Sequence, residues 1–408
     1  MSVVYEVPVG PVHPALKEPV AVKCYIEGEE VVDVDVILGQ NHRGIEWIGM
    51  NRDNPVQSLR MASRVCGICT NVHPLSLVQA VEAAADIEVP ERADYIRAIM
   101  LEVDRIHSHL LWAGVAAHEL GFDTLLHYTW KFREEVMDLA EYISGNRVTF
   151  EMEMYGGVRR DIPPEKYPKI IKAMNYYEAK FEKLVEMFLN DKTIALRTVG
   201  VGVLSREEAL KLCLVGPTTR ARGVKKDVRV DLPTMAYADL DIEPVTPDIY
   251  RDEVVGDVYD NIVVRLFEVK QSIDIIRQCL DQMPNGPILA EEKLPKLLNM
   301  LKKASGEGFG LTEAPRGEVV HYVKLKEMET FYAWKIRAST YNNIPAWEPM
   351  LIGAQIADIP IIVASIDPCL SCTNRAVVLD GGKEKVLSHE DLHRLSVQKT
   401  RRLIRYGK

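Results

Sequence analysis

Two Cys-x-x-Cys pairs stand far apart in this chain, Cys66-Gly67-Ile68-Cys69 and Cys369-Leu370-Ser371-Cys372. Four thiols brought to one point make a soft, closed pocket suited to a thiophilic metal or to sulfur chemistry. Such pairs read as a zinc ribbon when about 15–20 residues separate them. Here about 300 residues intervene, so any shared site has to be built by the whole fold. That favours a deep, central site over a peripheral zinc clip. His73, four residues after Cys69, is positioned to reach a cysteine sulfur or, equally, to bond backbone at a helix N-terminus. His107 and His109 lie two apart on a helical stretch and face different ways, so they read as core or interface histidines rather than metal ligands. Cys24, Cys213 and Cys279 are isolated and read as small hydrophobes.

The elements that must position these groups can be read from periodicity. Residues 20–26 alternate apolar and polar, Glu27-Gly28-Glu29 punctuates them, and Val32, Val34, Val36 and Leu38 alternate against Asp33 and Asp35, which predicts a β-hairpin. After Gly39 the pattern turns helical. Apolar residues from Pro90 to Glu119 recur at helical spacing and predict a central, largely buried helix. Further helices are expected over about 124–143, 164–189 and 252–282. Gly- and Pro-rich segments, including Ala314-Pro315-Arg316-Gly317, read as irregular connections. The expected fold is mainly α with a small N-terminal β unit, a helical bundle forming one body over residues 1–408. Within it, 1–45 is the β-rich unit, 46–375 the helical core with both cysteine motifs, and 376–408 a charged tail ending in a basic run.

Composition narrows the class. With 408 residues, 47% hydrophobic and 27% charged, the chain is ordinary for a globular protein. A net charge of -9 argues against a general nucleic-acid binder. Met1 to Tyr5 lacks the charged and apolar regions of a secretory leader, so seven cysteines fit a reducing cytoplasm. The most apolar stretch, 350–366, is broken by Gln355, Asp358 and Pro360 and is too interrupted to span a bilayer. No Rossmann fingerprint or P-loop suggests nucleotide use.

Arg64-Val65-Cys66-Gly67-Ile68-Cys69-Thr70-Asn71-Val72-His73 resembles the N-terminal metal-binding motif of [NiFe]-hydrogenase large subunits, and Asp367-Pro368-Cys369-Leu370-Ser371-Cys372-Thr373 the C-terminal one. Glu313-Ala314-Pro315-Arg316-Gly317-Glu318 looks like the family's active-site arginine loop. Gly10-Pro11-Val12-His13-Pro14, Gly44-Ile45-Glu46, Gly156-Gly157-Val158-Arg159 and Gly256-Asp257-Val258-Tyr259-Asp260 also match, so the likeness covers nearly the whole chain. It is strongest to the membrane-bound, energy-converting branch related to the quinone-reducing core of complex I. The resemblance implies a hydrogenase-large-subunit-like fold. It also implies catalytic roles for Arg316, His73 and the proton-transfer carboxylate Glu18, with Cys66, Cys69, Cys369 and Cys372 as metal ligands if a [NiFe] centre is present.

Departures from the pattern bear on the reaction. Cys372-Thr373-Asn374-Arg375 replaces the usual Cys-Thr-Asp-Arg, which removes a carboxylate beside the ligands. Arg222 stands where related hydrogenases tend to have a small residue. A tail, 376–408, follows the point near Arg375 at which many hydrogenase subunits are trimmed after metal insertion. These lean the reading toward a sister branch, the membrane-bound sulfane sulfur reductase. There, electrons from ferredoxin pass through a partner's [4Fe–4S] clusters to polysulfide, with ion pumping, and the cysteines only line the cavity. The alternative is a [NiFe] subunit that evolves H₂. Either way the expected partners are a small [4Fe–4S] subunit, other hydrophilic-arm subunits and a membrane ion-pumping module. The expected location is the cytoplasmic face of the membrane, held there through those partners.

Overall fold

The structure, a computed structural model, describes residues 4–13, 16, 18–373, 378–380, 383–385 and 389–406. The N-terminal hairpin forms as its alternation requires. Strands β1 (Val4–Val9), β2 (Ala21–Glu27) and β3 (Glu30–Ile37) make an antiparallel sheet in that order. Gly28 turns between β2 and β3 at φ +68, a left-handed conformation that suits glycine. Val22, Cys24 and Ile26 point into the core. The expected alternation fails at Val32. The register passes from Ile26↔Val31 to Tyr25↔Asp33, so Val32 is an extra, bulged residue left at the surface.

Two short helices follow, α1 (Ile45–Asn51) and α2 (Pro55–Ala62), the second opened by an Asn54–Gln57 capping box. Next come α3 (Val72–Ala85), α4 (Glu91–Glu119), α5 (Asp123–Ser144), α6 (Tyr167–Leu189) and α7 (Val258–Gln282). α4 is the buried axis, packed on α5 and α7, with α6 on the far side of α7. α7 starts six residues later than its periodicity suggests. Gly256 takes φ +78, and the Asp257 side chain accepts a hydrogen bond from Asp260 N at 2.8 Å, which caps the helix there.

The helical core expected over 46–375 also holds strands that its periodicity did not announce. A second antiparallel sheet, β4 (Ser305–Ala314), β5 (Gly317–Lys326) and β6 (Ala333–Arg337), lies within it. β5 has a period-two burial pattern, with Val319, His321, Val323 and Leu325 inward. Ala314-Pro315-Arg316-Gly317, expected to be irregular, is a tight hairpin turn with Ala314 paired to Gly317. β4 lies directly on α3 because Gly306, Gly308 and Gly310 face the helix. A Cβ at these positions would sit 2.3, 2.3 and 1.9 Å from the carbonyl oxygens of Ala84, Ala80 and Ser76. This glycine stripe ties the helix that follows Cys69 to the strand that leads to Arg316.

α4 carries many charged side chains on a buried helix, and several tie it to neighbouring elements. Arg97 forks onto Glu82 at 2.6 and 3.1 Å. Glu102 accepts from Arg105, Arg229, Tyr237 and Ser272. Arg105 also donates to the carbonyls of Glu313 and Ala314, at 2.7 and 3.1 Å, and so pins the base of the Arg316 turn. Among the described residues no helix is long and apolar enough to cross a membrane. The tail forms a helix, α8 (His389–Tyr406), whose His393 ring stacks on Trp47 at 5.1 Å.

Candidate functional site

The two Cys-x-x-Cys segments meet at the centre of the molecule. Cys66 Sγ lies 2.9 Å from Cys369 Sγ, and Cys369 Sγ lies 3.2 Å from Cys372 Sγ. The sulfurs of Cys66, Cys369 and Cys372 all fall within 4.8 Å of one another. Cys69 is turned to Arg316, whose Nη1 stands 3.2 Å from its sulfur. All four thiols are buried and unbridged. Arg43, beside the short helix α1, holds the two segments together. It donates to Arg64 O and Val65 O, both at 2.8 Å, and to Ser371 O at 2.6 Å.

Arg316 is 2% exposed and fully engaged. Its Nε donates to Asp367 O and its Nη2 to Asp367 Oδ1, both at 2.7 Å, and Nη1 also reaches Ser108 Oγ at 3.1 Å. Asp367 sits at φ +55, a left-handed position that turns both its carbonyl and its carboxylate onto the guanidinium. Asn343 accepts from Val215 N and donates to Arg316 O, bracing the turn from behind. Glu18 accepts from the backbone N–H groups of Leu370 and Ser371 and from the Ser371 hydroxyl, inside the second cysteine segment. Glu18 and Arg316 share a cavity of about 250 Å³ with Ile68, Leu111, Trp112 and Leu370.

His73 meets sulfur rather than backbone. Its Nε2 lies 3.7 Å from Cys372 Sγ and its Nδ1 3.1 Å from His321 Nε2. Burial pushes His73 down to about 4 and His321 well below the usual histidine range. His107 and His109 are core residues as the sequence suggested; His109 pairs with Glu268 at 2.8 Å and His107 accepts from Arg133. Arg222 does not line the cavity; it is buried against Thr218 O, Asn261 and Met350. Asn374 and Arg375 lie outside the described residues. Arg43, Asp367, Asp104, His321 and Trp334 were not assigned roles from sequence. Asp367 sits inside a recognised motif, whereas nothing local marks Asp104, His321 or Trp334.

The thiols titrate as one unit. Burial opposes ionisation of Cys66, but hydrogen bonds from Cys369, Cys372 and Cys69 and the charge of Arg316 outweigh it and hold this thiol well below its ordinary range. Cys69 is pushed up by its bond to Cys66 and by burial, and Cys372 by its bonds to Cys369 and Cys66. A buried thiolate shared by four sulfurs is the donor set that a thiophilic metal takes. Buried polar atoms around it are left over: Asp367 Oδ2 and both oxygens of Asp104 find no hydrogen-bond partner. Burial and the nearby Cys66 charge push Asp104 well up. The residues therefore fit a nickel–iron centre, which would bring its own charge and ligands to these groups.

Residues 119–375 match the family of the respiratory-chain NADH dehydrogenase 49 kDa subunit, and residues 43–114 match nickel-dependent hydrogenase. The chain is 46% identical to the membrane-bound hydrogenase subunit alpha of Pyrococcus furiosus, over 98% of this chain and 94% of that one. It is 37% identical to the carbon monoxide-induced hydrogenase of Rhodospirillum rubrum, over 91% and 99% of the two chains. Among solved structures it resembles a chain of the membrane-bound sulfane sulfur reductase, an archaeal respiratory membrane complex. That match has a TM-score of 0.84 at 31% identity and covers 91% of this chain and 98% of that one. Matched motifs, fold and buried thiol cluster agree: the chain belongs to the family of [NiFe]-hydrogenase large subunits and their complex I relatives.

Proposed function

We propose that this chain is the catalytic large subunit of an energy-converting, membrane-bound [NiFe] hydrogenase that evolves H₂ with electrons from ferredoxin. The observation that carries this reading is the convergence of four buried cysteines, drawn from segments 303 residues apart, beneath a buried arginine. Cys66, Cys69, Cys369 and Cys372 would hold the nickel–iron centre, which supplies the proton-reducing chemistry when bound. Arg316 anchors Cys69 and, ion-paired with Asp367, borders the cavity. Glu18, hydrogen-bonded within the second cysteine segment and open to the cavity, is placed to move protons. His73 orients the Cys372 sulfur.

The sequence alone leans toward sulfane sulfur reduction, and three observations support moving the preference. Arg222, one of the departures behind that leaning, packs away from the cavity. The thiol set is complete, and a hydrogenase relative is 46% identical. The likeness to the sulfane sulfur reductase structure supports the second reading. In it, a partner's [4Fe–4S] cluster reduces polysulfide and the cysteines line the cavity as thiols or disulfides. Both readings imply a small [4Fe–4S] subunit packed beside the Cys66 and Cys369 segments and a membrane ion-pumping module. In both, this chain sits at the cytoplasmic face of the membrane through its partners. Nickel analysis of the native complex, with H₂ and polysulfide assays on the same sample, tests the proposal. About one nickel per large subunit with H₂ evolution is the expected result. An active complex without nickel that reduces polysulfide overturns it.

A further inference from the structure

His73 does not stand alone beside the thiols. Behind it, His321 on β5 and Trp334 on β6 complete a buried line of three rings running from the second sheet to Cys372. Trp334 Nε1 lies 3.2 Å from His321 Nδ1, His321 Nε2 lies 3.1 Å from His73 Nδ1, and His73 Nε2 lies 3.7 Å from Cys372 Sγ. His321 and Trp334 have no exposed surface and His73 almost none. Trp334 is fixed in place by an edge contact with Phe331 and by Gly49, where a Cβ would come within 2.3 Å of its ring.

An indole N–H donates and never accepts. His321 Nδ1 must therefore accept, which leaves the proton of this ring on Nε2. That proton faces His73 Nδ1, which must accept in turn. The remaining proton of His73 then sits on Nε2, pointing at Cys372. A doubly protonated His73 is incompatible with the same geometry, because His321 would have to accept at both nitrogens and become an anion. Cys372 is ready to receive the bond, since its own S–H is directed into the thiol cluster, toward Cys369 and Cys66.

We infer that Trp334 and His321 are positioning residues that fix the tautomer of His73, so that an N–H donor, never a lone pair, faces the Cys372 sulfur. Without the indole donor, both imidazoles can invert together. His73 Nε2 would then present a lone pair and accept a hydrogen bond from the thiol. A donating N–H withdraws charge from a sulfur that serves as ligand or thiolate, whereas an accepting nitrogen does the reverse. The inference goes beyond the proposed reaction and holds for either reading of it, because it concerns the sulfur and not what the sulfur binds.

The test is solid-state ¹⁵N NMR of the purified complex with ¹⁵N-labelled histidine. His73 Nδ1 and His321 Nε2 lie 3.1 Å apart in the core, so a nitrogen–nitrogen correlation across their shared proton reports both rings without a variant. The expected result is the Nε2–H tautomer for both. Trp334→Phe, which keeps an aromatic ring and loses the donor, should show a mixture of tautomers. An Nδ1–H tautomer on either ring of the unmodified protein overturns the inference, as does a Trp334→Phe protein with unchanged tautomers. If that variant does not fold, the spectrum of the unmodified protein still decides. Nickel content plays no part in the readout, so failure here is distinct from failure of the hydrogenase reading.

Discussion

Replacing Gly310 with alanine tests whether the glycine stripe is what sets the distance between Cys69 and Arg316. The added Cβ would lie 1.9 Å from Ser76 O and 2.8 Å from Ala80 N, both backbone atoms of α3 that no rotamer change can move aside. Relief needs the strand and helix to part by about 1 Å, since ordinary contact lies near 3.4 Å and part of the shift can run sideways. Overpacking of this kind costs about 1–3 kcal/mol, and more where backbone must give. Ser76 is one turn from His73, and the strand leads in four residues to Ala314 and the Arg316 turn. A 1 Å displacement there would break the 3.2 Å contact between Arg316 and Cys69, and misplacement on that scale can lower turnover by about 100-fold. Gly306→Ala is the control. Its Cβ meets Ala84 O at 2.3 Å, at the far end of α3 from the cysteines. Denaturant unfolding and specific activity of the purified complex should show both variants destabilised but only Gly310→Ala strongly inactivated. Equal loss of activity in the two, or a Gly310→Ala protein with unaltered stability and activity, would refute the argument.

Two further outcomes are expected. Arg43→Met removes three bonds to the carbonyls of Arg64, Val65 and Ser371, worth about 0.5–1.5 kcal/mol each. Alkylation of Cys66 and Cys372, followed by mass spectrometry, should accelerate by roughly tenfold or more as the two segments open more often, while exposed Cys213 reacts at its former rate; unchanged protection would mean that Arg43 is no clamp. Glu153 is pushed up to about 7 by burial, against the attraction of Arg97. A carboxyl raised on folding contributes stability that is full below its unfolded value, near 4.5, and is lost as pH rises through 7. Glu153→Gln should therefore be more stable than the unmodified protein at pH 8, by about 1–3 kcal/mol, with the difference shrinking toward pH 5. A constant difference across that range would remove the assignment.

Much of this architecture could be read in advance where signals are local. The alternation of residues 20–26 fixed β2, and the 3.6-residue spacing of Ile96, Ile99, Met100, Val103 and Ile106 fixed the buried α4. The four cysteines announced the site because their type and pairing are rare. The second sheet stayed hidden for a physical reason. Gly306, Gly308 and Gly310 look like poor strand formers, yet they are required because β4 lies against helix backbone, a tertiary fact that no local preference reports. Val32 was misjudged because a one-residue bulge shifts a register that alternation alone cannot detect. The groups around the thiols follow the same division. Arg316 was recognisable because the loop from Glu313 to Glu318 resembles the family's arginine loop, although proline and glycine beside an arginine alone read as a surface turn. His321 and Trp334 were not, because their meaning lies in which nitrogen faces which across two strands and a helix. The sequence marks the atoms that can do chemistry, while the orientation of the protons that tune them depends on contacts between distant segments. For this site, identity and proton placement are separate questions, and the second is decided by residues that carry no motif.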